Sequence, residues 1–215
     1  MEKQNPSQYT DVLKDKKYIW QLEHSLLPKA KFSKQEVMID KLNECDTNAF
    51  KRLGEIKQNI DTFVEESRNL YICGGIGNGK TSWAIKILQK HLYLNRDAEY
   101  FDNLVQGLFI SVPKLIANVK DFTTRNAKDY LDYVKSNIER VNLVIWDDFA
   151  LEETTMFDRL QLYVFLNDRI LAEKSNIFTS NITNLEGLEK IVGKRIASRS
   201  YDISEIITLN GKGVR

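Results

Sequence analysis

An α/β fold with a parallel sheet between two helical layers is predicted for this 215-residue chain by three features. Residues 70–82, LYICGGIGNGKTS, carry G-x-x-x-x-G-K-T at Gly74, Gly79, Lys80 and Thr81. That motif lies between a β-prone apolar run and WAIKILQKHLYL, whose apolar spacing is helical, so strand, loop and helix follow one another as a P-loop requires. Further near-continuously apolar runs recur at 107–112 (GLFISV), 141–146 (VNLVIW), 176–180 (NIFTS) and 205–209 (EIITL), with helical stretches between them. Strands of that kind are buried on both faces, which is the signature of a parallel sheet covered by helices.

Each element has its own signal. Residues 1–45 hold Tyr9, Tyr18, Ile19, Trp20, Leu22, Leu26 and Leu27 ahead of Pro28 without a clean period. They read as a short N-terminal leader, a possible partner-docking element, ahead of one domain over 46–215. From about 46, Phe50, Leu53, Ile56, Ile60, Phe63 and Val64 recur at three- and four-residue steps, the period of an amphipathic helix. Pro113 opens a helix after the second strand, and Thr155 with Asp158 has capping-box spacing at the head of a helix over 155–173. A basic helix over 193–201 precedes the last strand.

Composition bounds the rest. A length of 215 residues suits one full-sized core, and 28% charged with 42% hydrophobic residues describes an ordinary globular protein. No apolar stretch reaches the ~18 residues that cross a membrane, and MEKQNPSQYT lacks a signal-peptide layout, so a cytoplasmic location is expected. Cys45 and Cys73 with His24 and His91 do not have the spacing of a four-ligand zinc site. A formal net charge of +1 gives no global attraction to nucleic acid, so such binding would come from local clusters.

The P-loop reading follows from what a phosphate chain demands. Backbone N–H groups must pack closely around it; glycines at 74, 75, 77 and 79 leave that space and permit positive φ. With Ile76, Asn78 and Ser82 they complete the binding segment. The helix beginning near Lys80 aims its unpaired N–H groups and its dipole at the anion. Lys80 would neutralise the β- and γ-phosphates, and the Thr81 hydroxyl would ligate magnesium.

LVIWDDF sets Asp147 and Asp148 at the carboxyl end of an apolar strand, where ligands bind in open parallel sheets. Asp147 would hold magnesium through water, and Asp148 would orient or deprotonate the attacking water. Two acids after a strand also suit a turn or a helix start. Asn181, after the strand one helix further on, is placed to touch a γ-phosphate or the attacking water, although Asn is equally common in turns.

The ordered set GGIGNGKTSWA, LVIWDDF, FTSN, GKRIASRSYD and GKGVR resembles the AAA+ helicase loaders of the DnaC and DnaI type, including phage versions, and the related IstB transposition ATPases. The resemblance covers about 45–215. It implies a three-layer sandwich with strand order 5-1-4-3-2, ATP and Mg2+ as cofactors, and weak or partner-stimulated ATP hydrolysis. It further implies self-association in an open ring or spiral, with Arg199 as a finger reaching the neighbouring subunit's ATP and Arg215 as a sensor-2-like contact. Without it, Arg195 and Arg199 share a helical face that suits a phosphate, a partner carboxylate or plain solvent. A replicative helicase and single-stranded DNA are the partners it implies. The leader is shorter than the helicase-binding domain of such loaders, and their zinc, present in some, has no cysteine ligands here.

The stretch 114–140 mixes Lys114, Lys120, Arg125, Lys128 and Lys135 with Phe122, Tyr130 and Tyr133. Basic residues track phosphates and aromatic faces stack bases, so it reads either as a single-strand contact or as a helix with inward aromatics and solvated lysines. Competing functions are an IstB-like transposition helper on duplex DNA, a small-molecule kinase, and a nucleotide-gated binding module with little turnover.

Overall fold

The computed structural model describes residues 15–31, 46–97, 104–150 and 154–211. The chain begins with α1 (Lys16–His24), a 3-10 turn (Lys29–Lys31), α2 (Thr47–Gln58) and α3 (Ile60–Glu65). The P-loop joins β1 (Asn69–Gly74) to α4 (Lys80–Leu94). Then come β2 (Gly107–Ser111), α5 (Val112–Lys120), α6 (Arg125–Ile138), β3 (Leu143–Asp147), α7 (Met156–Leu171) and β4 (Ser175–Ser180). The last elements are α8 (Leu185–Val192), α9 (Lys194–Ala197), a π turn (Ser198–Asp202) and β5 (Ser204–Leu209).

All four strand pairings are parallel, in the order β2-β3-β4-β1-β5, which is 5-1-4-3-2 read from the other edge. Successive side chains of a strand face opposite ways, so each strand feeds two cores. Tyr71, Val144, Trp146 and Phe178 pack toward α5 to α8, whereas Leu70, Ile72, Leu143, Ile145 and Ile177 pack toward α2, α3 and α4. Burying each such side chain contributes about 1.5–3 kcal/mol, which explains why these runs contain so few polar residues.

The amphipathic stretch expected from 46 onward buries Leu53, Ile56, Ile60 and Phe63 as its period requires. It is nevertheless two helices. Asn59 interrupts it at φ −107°, ψ 35°, with both its backbone N–H and its side-chain amide donating to the Glu55 carbonyl at 3.0 Å. An Asn side chain that bonds its own backbone competes with helix continuation. The capping box at Thr155 and Asp158 forms with both reciprocal bonds and starts α7 at Met156.

Residues 15–31 lie against the sheet's β2 edge. Tyr18, Leu22 and Leu27 are buried with α4, while the Ser25 carbonyl accepts from Phe109 N–H at 2.7 Å and Gln21 Oε1 from Gln106 N–H at 2.8 Å. An edge strand presents unpaired donors that attract other chains, and this segment occupies some of them.

At the opposite edge Glu205 of β5 is held by Arg52 at 2.6 and 2.9 Å and by Arg68 at 2.8 Å. The Arg52 hydrogen bond first, and then both charges, hold its carboxyl below the ordinary 4.5, against burial, which raises it. A carboxylate with a lowered folded pKa stabilises the fold above its unfolded value, and that stabilisation disappears as pH falls through the folded value. Thermal melts should therefore show wild type losing its advantage over Glu205→Gln as pH drops below about 4.5. The advantage at neutral pH is modest, within about 1 kcal/mol, because the arginines are well solvated.

Below the sheet's centre sits a polar knot with no counterpart in the sequence patterns. Arg169 of α7 is fully buried, and among the described residues it pairs with no carboxylate. Its guanidinium donates to the Ile138 carbonyl, to Val141 O at 3.0 Å, to Ser175 O at 2.6 Å and to Asn176 Oδ1 at 2.9 Å. Burial pushes it down to about 9, so it stays charged at neutral pH. Asn176 Oδ1 also takes the Trp146 indole N–H at 3.0 Å, which ties the knot to the residue directly before Asp147.

Candidate active site

The P-loop runs from the end of β1 into α4. Gly74, Gly77 and Gly79 have φ of +136°, +81° and +86°, a region that side chains strongly disfavour. Gly75 is not among them, contrary to the expectation that all four glycines serve positive φ. Gly74 is constrained by contact as well as by φ, because a Cβ there would lie 2.0 Å from Leu209 O on the paired strand β5. Gly79 forms the N-cap of α4 and leaves the first turn of that helix open to a ligand. At the loop tip Ile76 is 72% exposed, and Ser82 is exposed on the first turn.

Lys80 is buried and its ammonium donates to Gly74 O at 2.9 Å and Gly75 O at 2.6 Å. Burial pushes it down, while Asp148, Cys73 and Asp147 pull it back up. The buried Asn78 donates its amide to Leu209 O at 2.7 Å, fixing the loop to the end of β5. Asp46 completes that anchorage by accepting Asn210 N–H and Gly211 N–H, both at 2.8 Å. An Asp before a helix reads as a cap in sequence, but this one makes no cap bond and serves the strand end instead.

The acidic pair sits across from the loop. Asp147 ends β3 and is buried; its Oδ1 accepts the Thr81 hydroxyl at 2.8 Å and the Thr179 hydroxyl at 2.7 Å. Burial pushes its carboxyl up, the two hydroxyls and Lys80 oppose this, and Asp148 adds to it. Asp148 is half-buried and adopts φ +54°, followed by Ala150 at +66°, so the chain turns sharply just after the strand. Such a left-handed conformation in non-glycine residues is uncommon and is held here by bonds from β4.

Three of the sequence-predicted residues, Lys80, Thr81 and Asp147, meet in one cluster, and Asp148 stands close enough to act electrostatically on Lys80. The donor set suits a magnesium ion. Thr81 offers a hydroxyl and Asp147 a carboxylate, hard oxygen ligands, and both hydroxyl bonds converge on one carboxylate oxygen, Oδ1. Among the described residues no group of three or more His, Cys, Asp or Glu is placed to hold a metal, and no helix is long and apolar enough to cross a membrane.

Asn181 is half-buried one residue beyond Ser180, which pairs with Cys73 at the base of the P-loop. It forms no bond to the acidic pair. Thr179, two residues earlier, does so; it belongs to the FTSN run, in which the sequence points to Asn181 alone. Arg199 lies apart from the cluster, its guanidinium 5.5 Å over the Tyr163 ring of α7. The basic helix expected over 193–201 stops at Ala197 and widens into the π turn, where Ser200 Oγ donates back to Ile196 O at 2.8 Å. Arg195 and Arg199 therefore do not stand on one regular helical face, and Arg195 is exposed where Arg199 is half-buried. π turns often mark functional positions. Arg215 lies outside the described residues.

In the 114–140 stretch the tyrosines turn inward. The Tyr133 hydroxyl donates to His24 O, Tyr130 lies under the Lys114 ammonium at 4.9 Å, and burial pushes both phenols up to about 12. Lys120 pairs with Asp158 at 3.0 Å. Phe122, Arg125, Lys128 and Lys135 face solvent.

Strand order, helical layers, P-loop and acidic strand end together define the AAA+ fold. No protein-family model matches the chain, and no curated relative matches it. Solved structures do. The DnaC helicase loader aligns at 20% identity over 78% of this chain and 92% of that one, with a TM-score of 0.61. DnaI aligns at 21% identity over 88% and 95%, also at 0.61. The replication initiator DnaA, bound to AMPPCP and single-stranded DNA, aligns at 18% identity and 0.55 over 78% of this chain, which spans about half of DnaA.

Proposed function

We propose that the protein is an ATP-dependent replicative helicase loader that binds ATP with Mg2+ and engages single-stranded DNA. The carrying observation is the convergence of Lys80, Thr81, Asp147 and Asp148 at the carboxyl end of the sheet. The likeness of the fold to the DnaC helicase loader and to DnaI supports the choice of role.

Phosphoryl transfer relies on positioning and charge stabilisation, and each residue has one such task. Lys80 leaves the carbonyls of Gly74 and Gly75 and turns its charge to the β- and γ-phosphates. The open first turn of α4 receives the phosphate oxygens. Thr81 and Asp147 hold magnesium, which when bound neutralises charge on the phosphate oxygens. Asp148 orients water for attack on the γ-phosphorus and takes its proton as the bond to ADP breaks. Asn181 reaches the γ-phosphate from the neighbouring strand. Arg199 leaves Tyr163 to meet the ATP of an adjoining copy, and Arg215 serves as a sensor-2-like contact to nucleotide. Phe122, Arg125, Lys128 and Lys135 are the exposed groups available for a single strand.

Capture of a replicative helicase by the protein, with ATP and with ADP, tests this reading alongside phosphate release with and without single-stranded DNA. Nucleotide-dependent capture and strand-stimulated release are expected. Stimulation by duplex DNA alone, without helicase capture, would favour a transposition helper and overturn the loader role.

A further inference from the structure

We infer that Thr179 is a positioning residue for ATP hydrolysis: its hydroxyl fixes the magnesium-holding carboxylate of Asp147 and, at once, the backbone of Asp148. The inference rests on the ATPase reading above and names a further residue of that site.

Thr179 is buried in β4, one strand over from the acidic pair. Three bonds run from this residue to three consecutive positions. Its Oγ1 donates to Asp147 Oδ1 at 2.7 Å, the same Oγ1 accepts Asp148 N–H at 3.1 Å, and its carbonyl accepts Phe149 N–H at 2.8 Å. A hydroxyl has one proton and two lone pairs, so Thr179 can serve Asp147 as donor and Asp148 as acceptor simultaneously. The backbone it holds is the one at φ +54°, a conformation that costs free energy and persists only where the surroundings impose it.

The consequence is chemical. With Thr81 and Thr179 both donating to Oδ1, two hydroxyls from different elements hold the Asp147 carboxylate in one orientation. The turn at Asp148 decides where the proton-accepting carboxylate points, and among the described residues Thr179 is the side chain bonded to that turn's N–H. Phe149 packs against Phe178 with ring centroids 5.0 Å apart, so the turn is seated on β4 by apolar contact as well. Removing the hydroxyl alone would leave that packing in place, Asp147 held by Thr81 alone and the Asp148 N–H without its side-chain acceptor.

Thr179→Val keeps the shape and removes the hydroxyl, whereas Thr179→Ser keeps the hydroxyl. Groups that orient metal ligands from behind typically contribute 10–100-fold to activity or metal affinity. Thr179→Val should therefore lower kcat by about 10–100-fold and raise the Mg2+ concentration for half-maximal phosphate release, with KM for ATP little changed. Thr179→Ser should recover both quantities. A fluorescent ATP analogue titrated with Mg2+ supplies a readout that does not depend on turnover, and melting curves confirm that each variant is folded.

Three results overturn the inference. One is a folded Thr179→Val with wild-type kcat and Mg2+ midpoint. Another is a Thr179→Ser as impaired as Thr179→Val, which would assign the effect to packing. The third is a rise in KM alone. A wild-type protein that neither binds nor hydrolyses ATP would instead overturn the ATPase reading, and this inference with it.

Discussion

Lys80→Ala should abolish measurable ATP turnover while leaving the protein folded. The ammonium is the one side-chain cation on the P-loop, and it is already desolvated and poised between Gly74 O and Gly75 O. Desolvation strengthens its attraction for phosphate charge, because water no longer screens it. Loss of one preorganised donor at developing charge typically lowers kcat by about 10²–10³, and more is expected where that donor carries a full charge. The fold survives because the two bonds lost hold only the Gly74 carbonyl at the end of β1 and the Gly75 carbonyl in the loop, and the apolar core residues of β1 keep their packing. Phosphate release and a melting curve on the same sample check both halves. Retained turnover would remove Lys80 from the site.

The largest effect on stability is expected at Arg169. Arg169→Met fills much of the same volume but strips the guanidinium from the carbonyls of Ile138, Val141 and Ser175 and leaves the amide oxygen of Asn176 with Trp146 alone. An acceptor stripped of its partner inside a protein costs about 1–3 kcal/mol, so the total should reach about 3 kcal/mol or more after partial relaxation. For a chain of this length that lowers Tm by on the order of 10 °C. Asn176 also holds Trp146, the residue before Asp147, so turnover should fall with stability. A melting curve unchanged from wild type would show that water or neighbouring donors replace the guanidinium.

Both predictions contrast what the sequence discloses with what it conceals. The P-loop, the five strands and the acidic pair are legible because each rests on a local pattern: glycines in fixed spacing, unbroken apolar runs, charges at a strand end. Strand order came from the family resemblance and agrees with the structure. Thr179, Asp46 and Asn78 act through bonds to residues distant in sequence, and no periodicity records such pairings. Arg169 is hidden for a different reason. A charged residue on an amphipathic helix reads as solvent-facing, and only the carbonyls arriving from α6 and β4 make its burial tolerable. The same limit applies to the 114–140 stretch. Composition suited a base-stacking track and a helix with inward aromatics equally; Tyr130 and Tyr133 turn toward the core and leave only Phe122 outward among its aromatics. The helix over 193–201 failed locally: it opens into a π turn where the Ser200 hydroxyl bonds back to the carbonyls of Ile196 and Ala197.

The most direct test compares Asp148→Asn with Asp147→Asn, measuring nucleotide binding and phosphate release across Mg2+ concentrations. Asparagine keeps the shape of each side chain but neither carries the charge nor accepts the proton. The structure gives the two acids different surroundings: Asp147 is buried beneath two hydroxyls, and Asp148 sits half-open on its strained turn. Asp148→Asn should bind ATP as tightly as wild type and release almost no phosphate, whereas Asp147→Asn should shift the Mg2+ requirement upward. Equal loss of nucleotide binding in both variants, or undiminished phosphate release from Asp148→Asn, would contradict the account.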